Sequence, residues 1–148
     1  GIELGLALQL APEVLWRSSY LWNDFRFDDD ATYGDNRLPG IPEHFYRGEL
    51  SWSFRPTYAA TLTGEWSPRR HAIDMANSWY ADSYALVGVK LARTVNKGPS
   101  WFVEGRNLTA RNYAATTGVI ADARGQDAAQ FLPGDGRAVY AGIEWRVE

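Results

Sequence analysis

Apolar and polar residues alternate with a period of two along most of this chain, the pattern of strands with one greasy and one wet face. Seven segments carry it: 2–10, 14–27, 45–54, 58–66, 84–91, 101–106 and 139–147. In the third, Tyr46, Gly48, Leu50, Trp52 and Phe54 share one face, and Arg47, Glu49, Ser51 and Ser53 the other. The fourth sets Tyr58, Ala60, Leu62, Gly64 and Trp66 against Ala59, Thr61, Thr63, Glu65 and Ser67. The last sets Val139, Ala141, Ile143, Trp145 and Val147 against Tyr140, Gly142, Glu144 and Arg146.

Charge follows the same division. Glu3, Arg17, Arg47, Glu49, Glu65, Lys90, Glu104, Arg106, Glu144 and Arg146 all fall on the less apolar face, while Asp24, Arg26 and Arg93 fall at strand ends. An uncharged face suits lipid, because a cation at mid-bilayer on a barrel wall costs about 2–4 kcal/mol.

The connections alternate short and long: 11–13, 28–44, 55–57, 67–83, 94–99 and 109–137. A β-sandwich has no reason to sort its loops by length. Outer-membrane barrels do sort them, with brief periplasmic turns and long external loops. The stretch from Tyr58 to Trp66, at about 3.3 Å per residue and tilted by about 40°, spans roughly 20 Å, near the height of an apolar band bounded by aromatic girdles. Leu38-Pro39-Gly40-Ile41-Pro42 predicts an ordered loop, since proline lacks the ladder donor. A weak helical spacing through Ala72, Met75 and Trp79 predicts a turn of helix within 71–80.

Composition narrows the functional classes. Of 148 residues, 14% are aromatic, among them 7 Trp and 8 Tyr, which favours strands and interfaces over a helical bundle. The absence of cysteine excludes disulfides, thiolate catalysis and Cys-based metal sites, and 2 histidines leave little for a His-only site. With 15 basic against 18 acidic residues the net charge is −3, so no nucleic-acid partner is implied. No apolar run reaches the about 18 residues of a membrane helix, and a mean hydropathy of −0.37 is compatible with a barrel. The chain opens at Gly1 with no initiator Met and no signal peptide, so a processed product, an engineered chain or a piece of something longer is expected.

Three motifs resemble those of the TonB-dependent outer-membrane receptors. Leu38-Pro39-Gly40-Ile41-Pro42-Glu43-His44 is similar to that family's PGIPxH lead into a strand, and Glu104-Gly105-Arg106-Asn107-Leu108 through Tyr113 resembles its ExRNLxDxxY stretch. Pro133-Gly134-Asp135-Gly136-Arg137, running on to Gly142, resembles its PGxxRxxxxG approach to the final strand. The resemblance implies an all-β, antiparallel transmembrane β-barrel of about 22 strands with a plugged lumen. Residues 1–148 would supply about seven C-terminal strands, with the plug domain and its energy-coupling segment not in this chain. It also implies a bacterial outer-membrane location and active transport of a scarce nutrient, above all a ferric siderophore or other metal chelate. The implied partners are outer-membrane lipid, the remaining barrel, the plug, the TonB energy-coupling complex acting through that plug, and the chelate itself. The family usually finishes on an aromatic residue, whereas this chain ends Trp145-Arg146-Val147-Glu148, so either the end is trimmed or Trp145 serves.

Candidate ligand contacts lie in the second long loop, where Arg69, Arg70, His71, Trp79 and Tyr80 offer charge-assisted hydrogen bonds and stacking to an anionic, aromatic chelate. Arg47, Glu49, Glu65, Lys90, Glu104 and Arg106 are expected to line the lumen. Glu104 with Arg106, and Glu144 with Arg146, are expected in cross-strand ladders rather than as acid/base pairs. Asp28-Asp29-Asp30 has the oxygens for calcium, but an acidic run in an exposed loop reads as solvated, and no metal or cofactor is expected. Neither His44 nor His71 lies near a nucleophile elbow, so no catalytic residue is assigned. Two other classes share the alternation. A secreted carbohydrate-binding sheet protein using exposed Trp and Tyr predicts solubility without detergent, and a small outer-membrane barrel of other function needs an even strand count.

Overall fold

The computed structural model describes residues 1–124, 127–128 and 130–147. Glu148, cited above for the chain's end, and Gly125, Gln126 and Ala129 of the last long loop lie outside them. Among the described residues eleven strands form: β1 (Ile2–Ala11), β2 (Val14–Trp22), β3 (His44–Arg55), β4 (Tyr58–Ser67), β5 (His71–Ala72), β6 (Tyr80–Ala81), β7 (Tyr84–Arg93), β8 (Gly98–Arg106), β9 (Ala114–Thr117), β10 (Phe131–Pro133) and β11 (Ala138–Arg146). Seven make one antiparallel sheet in the order β1-β2-β3-β4-β7-β8-β11. Its outer strands β1 and β11 are not paired with each other, so the sheet is an open wall and not a closed barrel.

Register explains why the alternation survives into three dimensions. Leu8 stands opposite Trp16, Trp16 opposite Leu50, Leu50 opposite Leu62, Leu62 opposite Val89, and Leu91 opposite Val103. Ile143 then stands opposite Trp101. Each pairing joins apolar to apolar, so one uncharged face runs unbroken from β1 to β11. Ile2, Leu4, Leu62, Val139 and Ile143 are among its exposed side chains, Ile143 at 75%. The cation at its margin, Arg93, sits at the turn end and donates to the Pro99 carbonyl at 2.5 Å. Both margins are aromatic. At the turn end Trp52, Phe54, Tyr58 and Trp101 follow one another with ring centroids 5.3, 6.0 and 6.2 Å apart.

Short turns close one end of the sheet at 12–13, 56–57 and 94–97. Neighbouring turns are tied: Ser53 N–H donates to the Glu13 carbonyl and Thr94 N–H to the Thr57 carbonyl, both at 2.8 Å. Gly98 enters β8 with φ of 93°, a left-handed value that glycine adopts without strain.

Two sequence expectations are corrected. The second strand ends at Trp22 and not at 27, because its neighbour begins at His44, and Pro42 before it cannot extend the ladder. Asn23 instead donates from its main chain to Glu43 at 2.8 Å and from its side chain to Pro42 at 3.0 Å. The expected helical turn in 71–80 does not form; β5 and β6 make a two-residue hairpin there. Asp74 is the cause. Its side chain takes the Ser78 and Trp79 N–H groups at 2.8 and 3.1 Å, and Asn77 adopts φ of 52°, so the segment turns back instead of coiling.

Candidate functional site

The second face of the sheet carries the charge. Arg17, Arg47, Glu49, Glu65, Glu104 and Arg106 line a recess of about 790 Å³ that reaches from β1 to β8 and is capped by Asn107, Tyr113 and Asp135. Of the six residues expected to line a lumen, five border this recess. Lys90 is on the same face, opposite Glu104, with its ammonium 4.8 Å from the Phe102 ring centroid. Cross-strand pairs run Arg17 to Glu49 at 3.5 Å and Arg47 to Glu65 at 2.8 Å, and the Tyr84 hydroxyl donates to Glu65 at 2.9 Å. The expected ladders at Glu104–Arg106 and Glu144–Arg146 are corrected. Each arginine binds the carboxylate two positions earlier on its own strand, at 2.7 and 2.9 Å, because residues i and i+2 share a face and the arginine stem spans the gap.

At the opposite end from the turns, the three long connections, 23–43, 68–83 and 107–137, meet. The buried apolar side chains of the described residues, Ala72, Ile73 and Ala81, all belong to the middle one. Asp74 is fully buried beside them. Besides the two amides above it accepts the Ser78 hydroxyl and, from the third loop, the Ala123 N–H at 3.0 Å. Burial pushes this carboxyl up, but the Ser78 hydroxyl and the Ala123, Trp79 and Ser78 amides outweigh it and hold it below the usual carboxylate range. Met75 and Ala76 donate to Ile120 and Ala121 at 2.9 and 3.0 Å. On the other side Gly40 N–H donates to Ala72 at 2.7 Å, and Asn36 reaches the Met75 carbonyl at 2.9 Å. The middle loop therefore locks both neighbours.

Asn107 closes the third loop on itself. Buried, with φ of 46°, it accepts the Arg111 N–H at 2.9 Å and donates to the Arg111 and Asp135 carbonyls at 2.8 and 2.9 Å. Tyr113 packs on Tyr84 with centroids 4.7 Å apart and covers Gly134, where a Cβ would lie 2.1 Å from its ring.

The five loop residues named from sequence separate into two groups. Arg70, His71 and Tyr80 border a second recess of about 290 Å³, shared with Arg26, Arg37 and Glu43 from the first loop. Arg69 is not in the lining but pairs with its Glu43 at 3.2 Å, and Trp79 stands exposed outside it. Burial pushes the Glu43 carboxyl up, but Arg69 and Arg37 outweigh it and hold it low; burial pushes the His71 imidazole down and keeps it neutral. Within the acidic run Asp30 is held by its own turn: it accepts the Thr32 and Tyr33 amides at 2.8 and 2.9 Å, which lowers its pKa. Asp74, Tyr84, Arg26 and Arg37 were not singled out by sequence as site residues. Nothing in periodicity marks them, because their roles depend on which loops meet.

Residues 1–108 match the family described as TonB dependent receptor-like, beta-barrel. Among solved structures, the siderophore receptor PiuA from Acinetobacter baumannii aligns with a TM-score of 0.76 at 20% identity, covering 95% of this chain and 21% of that one. The ferric-catecholate import receptor Fiu from E. coli K12 aligns with a TM-score of 0.68 at 17% identity, covering 95% of this chain and 20% of that one. The chain thus spans about a fifth of the length of these structures, and the likeness is one of fold. Nothing matches among curated protein sequences.

Proposed function

Because the chain belongs to the TonB-dependent receptor β-barrel family, we propose that it forms seven consecutive strands of the wall of an outer-membrane receptor that imports a ferric siderophore or similar metal chelate. This is a transporter family and not an enzymatic one. The carrying observation is the uncharged face that the register continues across all seven strands of the sheet. Lipid is the solvent in which such a face costs least, and a folded sheet alone in water would leave it bare.

In this reading the charged recess faces the lumen. Arg47, Glu49, Glu65, Lys90, Glu104 and Arg106 line the route, most of them paired within the wall, which leaves few free charges to trap a passing anionic cargo. The long loops stand outside and meet the chelate first. Trp79 and Tyr80 present stacking faces, and Arg69, Arg70 and His71 present donors. The rest of the barrel joins at β1 and β11, where strand edges await partners. The energy comes from the inner-membrane coupling complex, acting through the plug.

Uptake decides the matter. Cells expressing the full-length receptor that contains this chain should accumulate a radiolabelled ferric chelate from a panel of siderophores, and should stop when the inner-membrane coupling complex is disabled. Receptor-independent uptake across the whole panel overturns the reading.

A further inference from the structure

On the side of the short turns the wall ends in a row that alternates cation and ring. Arg55, which closes β3 beyond a bulge, stands opposite Tyr58 on β4; Tyr58 stands opposite Arg93 on β7, and Arg93 opposite Trp101 on β8. Residues paired across antiparallel strands share a face, so all four belong to the margin of the uncharged one. The Tyr58 and Trp101 rings meet edge to face, centroids 6.2 Å apart, across the strand that carries the half-buried Arg93.

Neither arginine is spent on a carboxylate. Among the described residues no ion pair involves Arg55, Arg93 or the exposed Lys97 of the following turn. Of the carboxylates at this end, Glu144 holds Arg146 on the charged face at 2.9 Å, and Glu13, in the first turn, accepts the Ser53 N–H through its main chain and enters none of these pairs. Arg93 spends one donor on the Pro99 carbonyl at 2.5 Å. Neighbouring strands lie about 4.8 Å apart, so Arg55 and Arg93 leave β3 and β7 about 10 Å from each other with Tyr58 between them. Two arginine stems bridge that gap onto a single anion, which also relieves the repulsion between them. The backbone beneath is fixed: Thr94 N–H, after Arg93, donates to the Thr57 carbonyl of the turn after Arg55 at 2.8 Å, and the buried Ser100 hydroxyl accepts the Val95 N–H at 3.0 Å.

Depth fixes the chemistry of that anion. The row lies in the aromatic margin with Trp52 and Phe54, and such belts of tryptophan and tyrosine stand where lipid headgroups meet the apolar band. We propose that the row is a headgroup site for one phospholipid of the leaflet at the turn end. Arg55 and Arg93 take its phosphate from either side of Tyr58, and the Tyr58 and Trp101 rings pack against the glycerol end of its acyl chains. The site rests on the reading that the uncharged face meets lipid, and adds a held phosphate where that face alone asks only for hydrocarbon.

The test is lipid retention. The full-length receptor in detergent is incubated with dioleoylphosphatidylglycerol or with dioleoylglycerol, each with and without inorganic phosphate, then washed, and its bound lipid is counted by native mass spectrometry. Wild type should keep phosphatidylglycerol several-fold better than dioleoylglycerol, and an equal concentration of inorganic phosphate should not displace it. Arg93→Gln should lower that retention about fivefold or more, Arg55→Gln several-fold and Arg93→Lys less. Arg111→Gln, in the third loop at the far end of the wall, should change it by less than about twofold. Thermal unfolding is followed for each variant, and Arg55→Gln, at a strand end, decides the matter where Arg93→Gln fails to fold. Equal retention of the two lipids overturns the headgroup site and leaves the lipid face standing. Displacement by inorganic phosphate, which marks a free-anion site, overturns it too, as does an equal loss in Arg111→Gln. Retention of neither lipid overturns the site and counts against the lipid face as well.

Discussion

Leu62→Arg and Thr63→Arg place the same cation one residue apart on β4, on opposite faces of the wall. Leu62 is 48% exposed and stands in register between Leu50 and Val89, midway between the aromatic margins at Tyr58 and Trp66. An arginine there sits near the centre of the apolar band and should cost about 2–4 kcal/mol. Thr63 stands between Glu49 and Gly88 on the charged face, where an added cation meets a carboxylate and should cost under about 1 kcal/mol. Ala85 supplies a depth control, since it lies on the uncharged face opposite Trp66, at the margin, and Ala85→Arg should cost only about 0–1 kcal/mol. With a urea slope of about 2 kcal/mol/M, a loss of about 3 kcal/mol lowers the unfolding midpoint by about 1.5 M. The assay is urea unfolding of the full-length receptor from liposomes, followed by Trp fluorescence. Equal midpoints for Leu62→Arg and Thr63→Arg, or a lower one for Thr63→Arg, would refute the assignment of faces.

Three further outcomes follow from the loop layer. Asp74→Ala removes an acceptor shared by the middle and third loops and should loosen their contact by about 2–4 kcal/mol while the sheet persists, read as faster hydrogen exchange in 71–81 and 119–123 with unchanged β1–β4 protection. Gly134→Val drives a side chain into the Tyr113 ring and should release the third loop, detected as new protease cleavage within 107–137. His71 has a folded pKa held below its ordinary 6.5 by burial, so the unfolded loop binds the proton first and stability falls as pH drops below about 6.5. Loop exchange should therefore quicken between pH 7.5 and 5.5, and His71→Gln should flatten that dependence.

The sheet was legible because its code is local. Side chains at i and i+2 share a face, so Tyr46, Leu50 and Trp52 announced a face without knowledge of any neighbour, and short turns between such runs imposed antiparallel order. Most bounds slipped by one to three residues, the sixth segment starting at Gly98 and not at 101, and the second strand slipped by more, since after Asn23 meets Glu43 the ladder would have to run into Pro42. The loop layer was not legible. Asp74 is one aspartate among several in loops, and its burial depends on Ala123, which lies 49 positions away. The same holds for the second recess. Arg70 and His71 were visible as neighbours, but Arg26 and Arg37 join them because Asn36, Gly40 and Asn77 hold the first loop against the second.

The clamp between loops also makes assembly self-checking. A hairpin that slips by one residue still forms a ladder locally, yet it turns its apolar set to the wrong face and shifts its loop by about 3.3 Å along the strand. Asn77 would then miss the Arg37 main chain, and Asp74 would miss Ala123. The layer can latch only when β2, β3, β4, β7 and β8 are all in step, so the outer end of the wall acts as a vernier for its middle.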